Sequence, residues 1–235
     1  MGALGYEVKR KKKPAPKKSP MALGLGRFYN LQLPIHGIID VGAARGTWSI
    51  EASHFWPNAS YLLMEPLKER QLCLEALTKT YRNFSFAPYA AGNKKTTIEF
   101  VIADDLDGSG IASSATDPSL IRSVPVVRID DVVNEANVKG PYIIKLDTHG
   151  FEVPILEGCS GVLENVDLFI IECYGFQIVD NSLLFWQMCE YMQGLGYRLF
   201  DMVDVLHRPT DNAFWQCDAF FIKQSSPVFN SNSYK

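Results

Sequence analysis

Acidic side chains close four apolar runs of this chain. Ile38-Ile39 leads to Asp40, Leu62-Leu63-Met64 to Glu65, Ile143–Leu146 to Asp147, and Phe169–Ile171 to Glu172. In an open parallel sheet, ligands gather at the carboxyl ends of strands. A carboxylate placed there can accept the hydroxyls of a ribose or orient a reacting group. Asp40 is followed by Val41-Gly42-Ala43-Ala44-Arg45-Gly46, then by an amphipathic segment from Thr47. This reads as a strand, a tight glycine turn and a helix N-terminus. Without a Cβ, Gly42 can take a strained turn and let a ligand approach the backbone. The helix end offers unpaired N–H groups to a carboxylate or phosphate. Asp147-Thr148-His149-Gly150 adds a histidine, a residue type suited to a general base at neutral pH.

Strands and helices must alternate to bring these groups together. A helix is expected over Thr47–Phe55, cut off by Pro57, followed by a strand over Tyr61–Glu65. A second helix over Leu67–Thr80 puts Leu67, Leu74 and Leu77 inward and Lys68, Glu69, Arg70 and Glu75 on its polar side. A third strand spans Asn83–Ala90. Two further extended runs, Thr96–Ile102 and Val124–Ile129, flank the polar, glycine-rich stretch Asp104–Ser114, and predict a small antiparallel flap with a long loop. Asp130 is expected to cap a short helix. Core strands over Tyr142–Leu146 and Leu168–Ile171 follow, then a helix over Ser182–Leu195. Tyr197–Val203 and Ala219–Lys223 complete the sheet, with Asp204–Gln216 as a loop at its edge. The expected class is α/β: a Rossmann-like, seven-stranded sheet with five parallel strands, a hairpin-like pair, and a small antiparallel β insertion.

The chain has 235 residues and a net charge of −3. Its first 20 residues carry seven basic side chains and one acid, leaving 16 basic against 25 acidic in the remainder. An acidic body argues against nucleic acid as the main substrate. Residues 1–26 combine basic runs with Pro14, Pro16, Pro20, Gly24 and Gly26, and are expected to be a disordered tail before one domain over 27–235. No apolar run is long enough to span a membrane. Cys73, Cys159, Cys173, Cys189 and Cys217 are scattered without a C-x-x-C pair. They read as reduced core residues of a cytoplasmic protein, with no metal site expected.

The turn reads D-x-G-x-x-x-G, not the G-x-G-x-x-G of a dinucleotide site. With Glu65 following, it is similar to the turn of S-adenosylmethionine (SAM) methyltransferases. On that reading Asp40, Gly42, Ala43, Ala44 and Gly46 surround the methionine end of SAM. Glu65 and Pro66 hold the ribose, and Tyr89 and Ala90 lie near the adenine. Ser109, Glu172 and Tyr174 face the acceptor.

The chain as a whole resembles the FkbM-type family of SAM-dependent methyltransferases. The carrying segments are IIDVGAARGTWS (38–49), MEP (64–66), YAAG (89–92), VVRIDDV (126–132), IIKLDTHGFEVPILEGC (143–159) and FIIE (169–172). The resemblance implies a Rossmann-like fold, SAM as donor, and O-methylation of a hydroxyl on a small molecule or sugar. The family usually reads Asp-x-Glu-Gly where this chain has Asp147-Thr148-His149-Gly150. The histidine in the glutamate's place points to His149 as base, supported by Asp147; the competing reading is that His149 only caps the following helix. Two other functions fit the same residues. One is an RNA or protein methyltransferase that binds through the basic tail; the other is a SAM-binding domain without turnover.

Overall fold

Apolar runs without polar alternation form strands covered on both faces. Strands β1 (Gly37–Val41) and β8 (Tyr142–Leu146) are of this kind, and every residue in them is buried. The computed structural model describes residues 18–111 and 117–234. Between β1 and β8 lie α2 (Thr47–Ser53), β2 (Ser60–Met64), α3 (Lys68–Thr80), β3 (Phe84–Ala87), β4 (Ala90–Ala91), β5 (Thr96–Val101), β6 (Gly110–Ile111), β7 (Ile121–Val127) and α4 (Ile129–Glu135). After β8 come α5 (Glu152–Glu157), β9 (Val166–Tyr174), α6 (Phe185–Gly194), β10 (Tyr197–His207) and β11 (Phe214–Lys223). The main sheet has the order β10-β11-β9-β8-β1-β2-β3. Strands β3, β2, β1, β8 and β9 run parallel, and β11 and β10 antiparallel, as expected.

Alternate residues of each strand feed two cores. Ile39, Val41, Leu62, Met64, Ile144 and Leu146 pack towards α4, α5 and α6. Ile38, Tyr61, Leu63, Ile143 and Ile170 pack on the other face, towards α2 and α3. The insertion is a second sheet of order β4-β7-β5-β6; β7, β5 and β6 are antiparallel as the two extended runs predicted, but β4 pairs parallel with β7 and takes Ala90, which was expected to end the third strand. Arg122 of β7 makes a two-pronged ion pair with Glu69 of α3 at 2.8 and 2.9 Å, tying flap to body. Among the described residues, no helix is long and apolar enough to cross a membrane.

Three expectations need correction. Residues 1–17 of the predicted tail lie outside the described residues, but residues 20–26 are not disordered. They belong to a helix, α1 (Pro20–Tyr29), docked on the sheet through Leu25 and Phe28. Pro20 sits at the first helical position, where no N–H is needed. Gly24 is small because a Cβ there would press on Phe220 and Val203. Second, Asp130 does not cap its own helix; its carboxylate accepts the Gly161 and Val162 amides. Third, Asp204–Gln216 is mostly strand, and only residues 208–213 turn between β10 and β11.

Helix α1 should therefore contribute to stability. Leu25 is 0% exposed. Leu25→Ala should lower the unfolding free energy by about 3 kcal/mol, read by urea denaturation. A change within about 0.5 kcal/mol would mean that the helix does not dock in solution.

Candidate active site

Strand register places the functional groups. Val41 pairs with Met64 on one side and Leu146 on the other, and Leu146 pairs with Ile171. The next residue along each strand is Gly42, Glu65, Asp147 or Glu172, so these four form one row across the sheet tips. Asp40 lies a row lower, paired with Leu63 and Lys145.

The turn after β1 crosses the end of β8 in direct contact. Gly42 has φ +79°, and a Cβ on it would overlap the Asp147 carbonyl oxygen. Its missing side chain thus makes room for the protein's own backbone, where the sequence pointed to a ligand. Gly46, also left-handed at φ +73°, lets α2 pack on α3; a Cβ there would lie 2.5 Å from Leu77 Cδ1. The buried Glu65 carboxylate fixes the turn from the other side. Its Oε2 accepts the Ala44 amide at 3.0 Å, and its Oε1 accepts the Leu67 amide at 2.9 Å. Burial, foremost, pushes the Glu65 carboxyl upward.

Above this turn lies a cavity of about 420 Å³. That volume is within the usual range for a small-molecule site. Gly42, Ala44, Glu65, Pro66, Tyr89 and Ala90 line it, together with Asp147, His149 and Ser109. Asp40, Ala43 and Gly46 are not on its surface. Asp40 is buried beneath the turn, where its Oδ2 accepts the Ser49 hydroxyl at 2.7 Å. Burial pushes the Asp40 carboxyl upward against the pull of Lys145. Ala43 belongs to the core.

The flap closes the cavity with Ile98, Phe100, Leu106 and Asp107. Arg70 also lines it, although its sequence context put it on the polar side of a helix. The side chain is only 4% exposed, ion-paired to Asp107 and donating to the Asp105 carbonyl. Lys68, Glu69 and Arg70 look alike in sequence; the flap that covers one of them is remote in the chain.

A second cavity, of about 650 Å³, lies on the β9–β11 side. Glu172, Tyr174, Trp215 and Gln216 line it, with Asp105 at the flap edge. The two cavities share Asp107, Ile111, Asp147 and His149. His149 is left-handed, with φ +52°. Its Nδ1 lies 3.1 Å from the Ser109 carbonyl oxygen. Its Nε2 lies 3.5 Å from Asp147 Oδ1 and 3.4 Å from Glu172 Oε2. The ring therefore does not cap α5. Glu152, the first residue of α5, instead braces the turn before the helix, accepting from the Gly150 amide at 2.9 Å and the Thr148 hydroxyl at 3.1 Å.

The charges at this junction offset one another. Lys145 Nζ donates to Asp147 Oδ2 at 2.5 Å. Burial opposes ionisation of Asp147, but the ammonium outweighs it and holds the carboxyl below its usual range. Glu172 accepts from the Tyr174 hydroxyl and from Gln216 Nε2, each at 2.5 Å. Burial first, and Asp147 second, push Glu172 up to about 8. Asp147, His149 and Glu172 offer ligand atoms within 4.8 Å of one another. A cation held there would have to compete with the Lys145 ammonium, so no metal is assigned to them.

These features define a Rossmann-type sheet with one cavity at the β1–β2 tips and a second beside it. Residues 40–199 match the family described as methyltransferase FkbM domain, so the chain belongs to that family. It is a SAM-dependent methyltransferase. Among curated proteins, none matches the chain. Three solved structures resemble it with low scores. Precorrin-6y C5,15-methyltransferase from Geobacter metallireducens is 13% identical, with 91% of this chain and 93% of that chain covered at a TM-score of 0.47. N-methyltransferase NodS from Bradyrhizobium japonicum is 8% identical, with 86% and 93% covered at 0.48. A Burkholderia thailandensis N1-methyltransferase, solved with 1,6-didemethyltoxoflavin and S-adenosylhomocysteine, is 10% identical, with 87% and 76% covered at 0.46. The family match and the strand order carry the assignment.

The Glu172 carboxyl yields a pH test. Above its usual 4.5 the unfolded chain releases this proton while the folded chain keeps it up to about 8. Stability from this group is thus lost as pH rises across that window. Glu172→Gln cannot titrate. Urea unfolding at about pH 5 and about pH 8 should show the wild type losing about 1–3 kcal/mol more than the variant. Equal losses would show that Glu172 titrates normally.

Proposed function

We propose that the enzyme moves the methyl group of SAM to a hydroxyl of a small molecule or sugar, with His149 as the base. The observation that carries this reading is the meeting of two cavities at Asp147 and His149. A methyl acceptor must enter opposite the sulfur for in-line displacement, and the second cavity offers such an approach. SAM supplies a methyl carbon already activated by its sulfonium.

The chain's own residues bind, align and take a proton. Each oxygen of Glu65 accepts one backbone N–H and keeps a lone pair, enough to receive the two ribose hydroxyls. Pro66, Tyr89, Ala90 and Ile98 give the adenine apolar walls. Gly42 and Ala44 flank the methionine end, and the Asp147 carboxylate favours positive charge near it. Alignment of this kind can supply roughly 7–11 kcal/mol of the barrier. His149 Nε2 receives the acceptor's hydroxyl proton as the oxygen bonds to the methyl carbon and the carbon–sulfur bond breaks. A positioned base contributes about 10²–10⁴-fold.

The acceptor cavity also constrains its occupant. Among its described lining residues are Asp105, Asp107, Asp147 and Glu172, and neither Lys nor Arg. A phosphate-rich acceptor such as RNA would meet carboxylates there, which counts against the RNA reading. Trp215 and Tyr174 meet edge to face at 5.8 Å, an apolar wall beside hydrogen-bonding edges. Tyr174 and Glu172 fit contact with a neutral, hydroxyl-bearing acceptor.

Two measurements test this. Calorimetry with S-adenosylhomocysteine should show Glu65→Ala weakening binding about 10- to 100-fold, the worth of hydrogen bonds to a charged group. Unchanged affinity would remove Glu65 from the ribose. Incubation with methyl-labelled SAM and cell-extract fractions should label a hydroxyl-bearing small molecule, survive EDTA, and fall at least about 100-fold in His149→Gln. Labelled RNA or protein, near-native turnover in His149→Gln, or a magnesium-restored loss with EDTA would each overturn part of the proposal. Tight cofactor binding with no labelled product in any fraction would favour a domain without turnover.

A further inference from the structure

His149 can act as a base through Nε2 only if the neutral ring carries its proton on Nδ1. A free imidazole is not held to either form, so the protein must supply a partner that accepts and never donates. A backbone carbonyl is such a partner, and the Ser109 carbonyl oxygen lies 3.1 Å from Nδ1.

That carbonyl is itself held in place. The Ser109 hydroxyl oxygen accepts the Ala103 amide at 3.0 Å, closing the loop that runs from Ala103 to Ser109. Within the loop, the Leu106 amide donates to the Ala103 carbonyl at 3.0 Å, and the Gly108 amide to Asp105 Oδ1 at 3.1 Å. The next residue, Gly110, pairs with Val101 in the flap sheet. Arg70 grips the same loop from α3 through the Asp105 carbonyl and the Asp107 carboxylate. Ser109 itself is 8% exposed although it sits in a polar, glycine-rich loop. Its hydroxyl oxygen thus serves the loop, where its sequence context pointed to the acceptor.

We propose that Ser109 is the positioning residue of His149: its carbonyl takes the Nδ1 proton, its hydroxyl pins that carbonyl, and Nε2 is turned to Asp147 and Glu172 at the junction of the two cavities. This rests on the base role proposed for His149. The other groups around the ring do not compete for Nδ1. Asp147 Oδ1 and Glu172 Oε2 face Nε2. Lys145 is engaged by Asp147, Tyr174 and Gln216 by Glu172, and Glu152 by its own helix end.

The test uses the full chain labelled with ¹⁵N-histidine. His149 signals in long-range proton–nitrogen spectra are assigned by their loss in His149→Gln, with His36, His54 and His207 as internal references. At mildly alkaline pH the wild type should show His149 protonated on Nδ1. Ser109→Ala should move it towards the Nε2-protonated form, and Ser109→Thr should restore it. In the labelled-SAM assay, Ser109→Ala should lose at least about tenfold in turnover, a wrong tautomer costing up to ~10⁴ in the Ser-His-Asp hydrolases. S-adenosylhomocysteine affinity should change less than turnover. A wild-type ring protonated on Nε2, or a folded Ser109→Ala protein with an unchanged tautomer, would overturn the proposal. An Nδ1-protonated ring with full turnover in His149→Gln would instead remove the base role, so the two claims fail separately.

Discussion

The turn after β1 passes the end of β8 with no space for a side chain. Gly42 touches the Asp147 carbonyl, and the Asp147 amide in turn donates to the Val41 carbonyl at 3.0 Å. This contact locks the first and fourth parallel strands tip to tip. The cavity above the turn and its junction with the second cavity are then parts of one edge. Glu65 performs the matching task on the β2 side by bonding the Ala44 and Leu67 amides. A carboxylate expected to serve a ligand also holds up the scaffold, so loss of Glu65 has structural as well as binding consequences.

Beneath that edge sits an uneven set of charges. Lys145 is buried with Asp147 at its end and with Asp40 and Asp218 near enough to raise its pKa. A buried cation needs a partner, and removing one member of such a pair is costly. One ammonium cannot satisfy the buried Asp40 and the half-buried Asp147 and Asp218 equally. Asp147 stays ionised, while burial pushes Asp40 upward and Asp218 up to about 6. The outcome is an anion placed at the cavity junction, with carboxyls below and beside it that hold their protons more tightly than usual.

The flap and α1 show where sequence reasoning runs short. The flap strands were visible as extended runs, but nothing local says that the flap covers the cavity at the β1–β2 tips. Arg70 and Ser109 take their roles from it: one grips its loop, the other aims its carbonyl at His149 from 40 residues away. Helix α1 was hidden by composition. Pro20, Gly24 and Gly26 are breakers by propensity, yet Pro20 opens the helix and Gly24 fits under Phe220.

Patterns within a few residues were enough for the sheet, its five parallel strands, the family and the SAM cofactor. Each depends on chain-local facts: unbroken apolar runs, the glycine spacing, and an acid closing four of those runs. The expected acids split because strand ends are defined by pairing, not by where an apolar run stops. Val41 pairs with Met64 and Leu146, so β1 continues one residue past Asp40. That single step buries Asp40 and leaves Glu65, Asp147 and Glu172 at the surface of the cavities. The partners of His149 likewise come from segments far apart in the chain, and only folding, which joins them across the sheet tips, could choose them.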